Sequence, residues 1–568
     1  MKFNREIILF AVFVAAVILL WDPAAKFLGF GKNESPAAVT ASEQKAPEPV
    51  PLVEKTAAAP ATETSTLIPE PVTLNFPEEY LGNEEVTVAF NPAGGFVSSI
   101  EVLNYRNAAH DGCVVLDNNL SNPKLASFQP GALAVITDPA SSVVEVIDNS
   151  KTAENVYQLE RLMRRTDGRE FRLRQTWELK ENYTLGYKCT IINESQEPLQ
   201  FASIAISGGD LQPWAVLSGD KIRSEYHLLD VCTVNGKILE LNADAKTEKF
   251  NAFQSGFCNW AALSNKYFAV ILEGEKPFDV FKRRALITRN SHTIHLLAAG
   301  ANYSNVVVEP GMSSAFDFRY YAGPKIIGNL KSFNAQTTEL MHMGLGPLNF
   351  LCNWLLYFLV FLHGIIGSYG WSIVILTMVV RLLFWPITQK ANASMKKMQV
   401  IQPLIKELRE KYKNEPQILQ AKTMELYREH KVNPVGGCLP ILLQIPVFFA
   451  LYRVLEGAVQ LRQVPFLWSP DLAGPDTVAV FFSVPINPLV LAMTGLMVLQ
   501  QHITPTAMDP MQKKMMMFMP IVMLFFFYNL PSGLTLYWTV SQIFSIAQLY
   551  FQNRTKATAV VAGNGAAA

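Results

Sequence analysis

Polar and apolar positions fall into four textures along the chain. A short charged start, Met1-Lys2-Phe3-Asn4-Arg5, precedes an apolar run over 7–21. Residues 31–71 are rich in Ala, Pro, Glu, Thr and Ser and too poor in apolar side chains to build a core. From 72 to 323 short runs alternate with period two: Val86, Val88 and Phe90; Phe171-Arg172-Leu173-Arg174; Leu185, Tyr187, Cys189 and Ile191. Turn clusters such as Asn91-Pro92-Ala93-Gly94-Gly95, Thr166-Asp167-Gly168 and Ser207-Gly208-Gly209-Asp210 separate them. That alternation predicts an antiparallel β-sandwich. From Leu345 onward long apolar runs dominate, with helical spans expected at 369–387, 435–456, 485–501, 515–529 and 534–551. Each is near the ~20 residues that cross a bilayer, the fourth being short.

These textures divide the chain into a membrane anchor over 1–30, a disordered linker over 31–71 and an exported β domain over 72–323. Connecting and interfacial amphipathic helices follow over 324–366. A five-span core occupies 367–556, with a cytoplasmic helical hairpin at 390–432, and a disordered tail covers 557–568. The segment 348–366 is apolar enough to span, but Asn349, Asn353, His363 and Gly364 favour an interfacial helix. Asp22-Pro23 and Lys26 make a poor cleavage context, so the first apolar run reads as an uncleaved anchor rather than a signal peptide.

Charge sets the orientation. The whole chain of 568 residues has a formal net charge of zero, which points to no nucleic-acid partner. Residues 390–431 nevertheless carry ten Lys and Arg, Lys513 and Lys514 lie in the next basic loop, and Arg554 and Lys556 follow the last span. Residues 457–484 hold Arg462 against Asp471 and Asp476. Basic loops stay in the cytoplasm, so N-in and C-in are expected, with the β domain outside. Within 390–432, Met398, Ile401, Ile405, Leu408 and Tyr412 repeat at helical steps. Asn414-Glu415-Pro416 then starts a second helix that runs to about His430.

The most informative residue is Arg381, inside the first core span. No Asp or Glu lies in the interior of the other core spans, and Glu456, at a span end, has Arg453 as its neighbour. A charge without a counter-ion must face water or strong dipoles. The alternative is an arginine that snorkels to the headgroups. Thr377 lies one turn away, and Gly370 and Thr388 share its face. Gln444 and Gln501 lie in neighbouring spans, and the last span carries Trp538, Ser541, Gln542, Ser545 and Gln548 at helical spacing. Taken singly these read as helix–helix glue; taken together with Arg381 they predict an internal hydrophilic groove. Met508, Met511, Met515, Met516, Met517 and Met519 cluster at one membrane entry, suited to varied apolar partners or to plain core filling. Of six cysteines, Cys113, Cys189, Cys232 and Cys258 lie in the exported region, where disulfides are chemically possible. No nucleotide-binding, hydrolase or metal motif is present, so neither a catalytic residue nor a cofactor is expected.

Val432-Asn433-Pro434-Val435-Gly436-Gly437-Cys438-Leu439-Pro440, Gln444-Ile445-Pro446-Val447-Phe448, Asp509-Pro510-Met511-Gln512, Phe518-Met519-Pro520 and Pro531-Ser532-Gly533-Leu534 occur in this order. So do Thr504-Pro505-Thr506 and Leu536-Tyr537-Trp538. Together they resemble the YidC/Oxa/Alb insertase family, in its Gram-negative form with a large exported domain. The resemblance implies a β-supersandwich similar to sugar mutarotases and a helical insertase core without enzymatic activity. It also implies a groove around Arg381, open to the cytoplasm and lipid and closed to the periplasm. Thr377, Tyr537 and Trp538 would line the path of the entering segment. The partners implied are nascent membrane proteins, the ribosome, the Sec translocon, the signal recognition particle receptor and the lipid bilayer. Relatives often carry two adjacent tyrosines where this chain has Tyr537-Trp538, which keeps the aromatic face and loses one hydroxyl. The short, weakly basic tail argues against ribosome contact through an extended basic tail. Two other readings stand beside it: a solute transporter or channel, and a sugar-binding module using His227, His292 and His295 of the β domain.

Overall fold

A computed structural model describes residues 76–564 apart from 107–111, 119–130, 212–227, 243–245, 253–255, 290–291, 343–346, 414, 431–438, 483 and 504–509. The expected anchor at 1–30 and linker at 31–71 lie outside the described residues. The chain divides into two compact units, one ending at Gly323 and the other starting at Pro324.

The first unit is built from two antiparallel sheets. Strands β1 (Glu79–Gly82), β2 (Val86–Asn91), β3 (Phe96–Arg106) and β4 (Cys113–Asn118) form a four-stranded sheet in sequence order. The larger, twelve-stranded sheet comprises β5 (Val135–Asp138), β6 (Ser141–Ala153), β7 (Val156–Arg165), β8 (Glu170–Leu179), β9 (Thr184–Ile192) and β10 (Leu199–Asp210). It continues with β11 (Leu228–Thr233), β12 (Ile238–Asn242), β13 (Phe257–Ser264), β14 (Phe268–Arg289), β15 (His292–Val308) and β16 (Ser313–Pro324). A short helix, α1 (Thr247–Ala252), joins β12 to β13. The main path runs β12-β11-β13-β14-β16-β9-β8-β7-β6, while β15 bridges β14 and β10, and β5 pairs with β10.

Alternation decides which residues enter the core. On β8 and β9, Phe171, Leu173, Trp177, Leu185, Tyr187, Cys189 and Ile191 are buried, and Trp177 faces Tyr187 across the pair. Phe90 of the small sheet meets the Tyr157 ring at 4.7 Å and the Trp177 ring at 5.3 Å, so the two sheets share one aromatic core. Arg161 lies buried in it, donating to Gln175 Oε1 at 2.7 Å and to the Ala93 carbonyl at 3.2 Å. Burial lowers its guanidinium to about 10.

Cys113, Cys189 and Cys352 are free thiols, so neither Cys113 nor Cys189 is in a disulfide. Burial pushes the Cys189 thiol up to about 12, so it stays protonated and unreactive at neutral pH. Maleimide at pH 8 is therefore expected to modify half-buried Cys113 of the native protein and to reach Cys189 only after denaturation. Peptide mass mapping of the two states checks this.

The second unit is helical. After α2 (Ile327–Phe333) and a 3₁₀ turn at Ala335–Met341 come α3 (Pro347–Ile366), α4 (Tyr369–Lys411), α5 (Pro416–Glu429) and α6 (Leu439–Gly457). A two-stranded hairpin, β17 (Ala479–Phe481) and β18 (Val484–Ile486), leads to α7 (Pro488–Ile503), α8 (Pro510–Phe527) and α9 (Ser532–Asn564). Helix α3 packs on α4 and α6; α9 packs on α4, α6 and α7; α7 packs on α8. Among the described residues, Leu348–Ile366 and Tyr369–Ser394 are apolar and long enough to cross a bilayer, and Pro488–Ile503 and Met516–Phe527 are apolar but shorter.

Three expectations change. The first span and the first arm of the hairpin are one helix, α4, of 43 residues that passes through Pro386 and Pro403. Each proline removes one N–H, which is a local loss in a helix about 65 Å long. The span expected at 485–501 starts later, because Val484–Ile486 is strand and Pro488 suits the first helical position. The tail expected to be disordered from 557 continues α9 to Asn564. No proline interrupts this Ala-containing stretch, and alanine favours helix most.

Candidate functional site

Arg381 stands on α4 where α6 and α9 converge. Its Nε donates to Ser541 Oγ on α9 at 2.5 Å, and its Nη2 to Gln444 Oε1 on α6 at 3.3 Å. Gln444 Nε2 closes the ring by donating to Ser541 Oγ at 3.4 Å. Arg381 makes no ion pair among the described residues: a full positive charge is held by two neutral side chains. Ser541 and Tyr537 are buried, while Arg381 remains partly accessible. Tyr537 lies one turn before Ser541 and interacts with both Ser541 and Gln444.

The neighbouring polar residues have other partners. Thr377 is buried and donates to the Ile373 carbonyl of its own helix at 2.6 Å. Gln548 Nε2 donates to Thr388 Oγ1 at 3.0 Å, two turns beyond the arginine. Arg381 pairs with Ser541 and Thr388 with Gln548, so both helices advance seven residues in the same sense. Helices α4 and α9 are therefore parallel, as they must be if α6, α7 and α8 are three crossings between them.

Besides Thr377, three more expected groove residues do not join the Arg381 network. Gln501 Nε2 donates to the Met516 carbonyl at 2.7 Å and ties α7 to α8. Trp538 packs edge-on to Phe448 at 5.3 Å and against Phe527 at 5.4 Å. Its indole N–H and the Gln542 Oε1 are buried without a hydrogen-bond partner among the described residues. Trp538 and Gln542 share a face one step round the helix from Tyr537 and Ser541, because successive residues turn by about 100°. That places two unsatisfied polar atoms toward α6 and α8, beside the arginine network.

Sequence reasoning missed how the opposite end of the bundle is closed. Ser532 Oγ donates to the Asp471 carbonyl at 2.7 Å and lies 2.8 Å from Ser469 Oγ. The Ser532 and Gly533 amides donate to Gly474 and Leu472 carbonyls at 2.6 and 3.0 Å. Asp476 is buried and accepts from the Leu489 amide at 2.5 Å and from Trp468 Nε1 at 3.0 Å, capping α7 with its negative charge. Asn487 accepts from Thr477 Oγ1 and donates to the Tyr528 carbonyl, both at 2.7 Å. Gly370 lies under the Phe466 ring, where a Cβ would fall 2.0 Å from it. Most of these acceptors are backbone carbonyls, which leave no mark in the residue pattern. The Pro531-Ser532-Gly533 turn was the one available signal.

A helical bundle in which Arg381 is held by neutral side chains, following a two-sheet β unit in the chain, fits the class of multi-pass membrane proteins with a large β module. Two families match in tandem: the YidC periplasmic domain over residues 81–357 and the 60Kd inner membrane protein over residues 361–559. The membrane protein insertase YidC of Pelobacter propionicus is 33% identical over 482 residues, covering 82% of this chain and 85% of its own. That of Oleidesulfovibrio alaskensis is 30% identical and covers 97% of this chain and 99% of its own. A crystal structure of an active YidC insertase with its first transmembrane domain resolved aligns at 19% identity and a TM-score of 0.36, covering 84% of this chain and 92% of that one. The chain belongs to the YidC family of membrane protein insertases. It is a multi-pass inner-membrane protein with a periplasmic β domain. His227, advanced for a sugar site, lies outside the described residues, and the side chains of His292 and His295 on β15 do as well.

Proposed function

We propose that the chain inserts membrane proteins through a hydrophilic groove centred on Arg381, with Gln444, Ser541, Tyr537 and Thr377 on its walls. Trp538 and Gln542 form an adjoining wall. The observation that carries this reading is a partly accessible arginine whose hydrogen-bond partners are both neutral. Carrying a polar tail across hydrocarbon strips water from its groups. A groove reaching partway shortens that dry path, and Arg381 offers a transient partner to acidic side chains. The apolar part of the client then leaves sideways, driven by its own burial at about 25 cal/mol per Å². No covalent step is required. Gln501 is assigned instead to the α7–α8 contact.

The basic segments support a cytoplasmic position for α5 and the end of α4, with N-in and C-in termini. Parity supports α3 as an interfacial helix. If it crossed, the β unit would lie on the same side as the basic hairpin. The domains proposed are an anchor, a linker, the β unit to 323, the connecting helices to 366, and the five-span core. Clients are nascent membrane proteins; the ribosome, the Sec translocon and the signal recognition particle receptor are the proposed delivery partners.

The test is water access. In a parent carrying Cys438→Ser, Ser545→Cys, half-buried one turn beyond Ser541, is expected to react with a charged maleimide added from the cytoplasmic side. Ile543→Cys, on the exposed face of the same helix, should react at least about tenfold more slowly if that face meets lipid. Equal protection of both positions would overturn the groove.

A further inference from the structure

The β17–β18 hairpin is apolar on both faces. Residues 478–486 read Val-Ala-Val-Phe-Phe-Ser-Val-Pro-Ile, with no charge. Val480 is 66% exposed, Phe481 65% and Phe482 88%. Val478, Val484 and Ile486 are exposed as well. Strand residues alternate between faces, so exposure at Ala479, Val480 and Phe481 in succession means that neither face is covered. A two-stranded hairpin is marginal in water, and an uncharged, exposed edge invites aggregation. This sequence therefore suits a surrounding other than water.

Its place in the chain says which. Asn487 alone separates β18 from Pro488, the first residue of α7. Asn487 also donates to the Tyr528 carbonyl at the end of α8, and Tyr528 Oη donates to the Pro485 carbonyl. The hairpin is thus pinned at the ends of two apolar helices whose outward faces, Leu491 on α7 and Phe525 and Phe526 on α8, are exposed too. Trp468, half exposed and bonded to Asp476, stands on the same loop, as an aromatic does at a membrane–water boundary. Three strand residues reach about 10 Å, the depth to which interfacial elements enter a bilayer. The hairpin pairs Ala479 with Ile486, Val480 with Pro485 and Phe481 with Val484. Pro485 has no N–H, so one edge group that lipid could not satisfy is absent.

We infer that the β17–β18 hairpin is a shallow lipid anchor, with Phe481 and Phe482 seated among the acyl chains of the outer leaflet beside α7 and α8. The inference rests on the proposed topology, which puts this end of the bundle on the periplasmic side. Fastened to the loop that closes that end, the anchor holds the closure at the membrane surface while the opposite end admits clients.

The test places p-benzoylphenylalanine at position 482 of the full-length protein in cells, with the same probe at position 491 on α7 and position 154 in the β unit. Irradiation is expected to give phospholipid adducts, read as added mass on the probe peptide, at 482 and 491 to a similar extent and at least about tenfold less at 154. Protein adducts at 482, seen as band shifts, would overturn the anchor and mark a protein-docking surface. Lipid adducts at 491 without any at 482 would overturn it and leave the membrane topology standing. Absence at both would overturn the topology with it.

Discussion

Replacing Arg381 by leucine is expected to slow insertion of clients with acidic tails by about tenfold for each carboxylate while leaving the fold as stable as before or more so. The two effects separate because the arginine is held by neutral partners. Ser541 and Gln444 supply dipoles but no counter-charge, so the guanidinium keeps most of its desolvation cost. An apolar side chain of similar length removes that cost, and Ser541 and Gln444 retain each other. The function has no such substitute. Opposite charges about 4 Å apart at an effective dielectric of 20 attract by about 4 kcal/mol, and partial hydration of the groove reduces this to roughly 1–2 kcal/mol. That corresponds to a loss of about tenfold in insertion rate for each client carboxylate that must pass. Clients with neutral tails should lose less than about twofold, and Arg381→Lys should retain much of the activity because the charge survives. Insertion assays on paired neutral and acidic clients, beside thermal unfolding of the same variants, read both halves. A destabilised Arg381→Leu with equal loss for both clients would mean that the arginine is structural.

Gly370→Val should be the most damaging single change at the closed end of the bundle. A Cβ at this position would fall 2.0 Å from the Phe466 ring, which Trp371 holds edge-on at 5.6 Å. The first turn of α4 must then move off the loop, and overpacking of this kind costs about 1–3 kcal/mol. Cap hydrogen bonds from Ser532 and Gly533 to the same loop would loosen with it. Both unfolding temperature and insertion should fall. Adding Phe466→Ala makes room for the valine and should recover part of the loss, which a defect confined to helix propensity would not allow. Detergent melts of the single and double variants decide between them.

How much of this was legible in the sequence depends on the range of the interaction. An arginine inside an apolar span and a lone glutamine in the next are visible in one dimension, and the fold brings Arg381 and Gln444 together. Which members of the last-span stripe would meet them was not visible. Tyr537 with Ser541 and Trp538 with Gln542 have the same spacing and lie on adjacent faces, and only packing of α9 against α4 and α6 selects the first pair. Gln501 was misplaced for the same reason: a polar side chain at a span end serves a neighbouring carbonyl as readily as a groove. In the β unit, alternation along β8 and β9 shows which residues enter the core. Pairing of β9 with β16, as in Cys189 opposite Phe316, joins segments far apart in sequence and has no local signature. The closing loop was read for its charge alone, although Asp476 turned out to cap a helix.

The central claim is that clients pass along the Arg381 face. A photocrosslinker at Thr377, Tyr537 or Gln444, tested against a ribosome-stalled chain with one apolar segment, addresses it most directly. Controls belong at Leu382 and Leu383, which are exposed on the same helix as the arginine. Nascent-chain adducts are expected at the groove positions as the segment enters, and at least about tenfold fewer at the controls, where the probe meets lipid. Adducts of equal yield at both sets, or at the controls alone, would contradict it and leave the polar cluster as helix–helix packing.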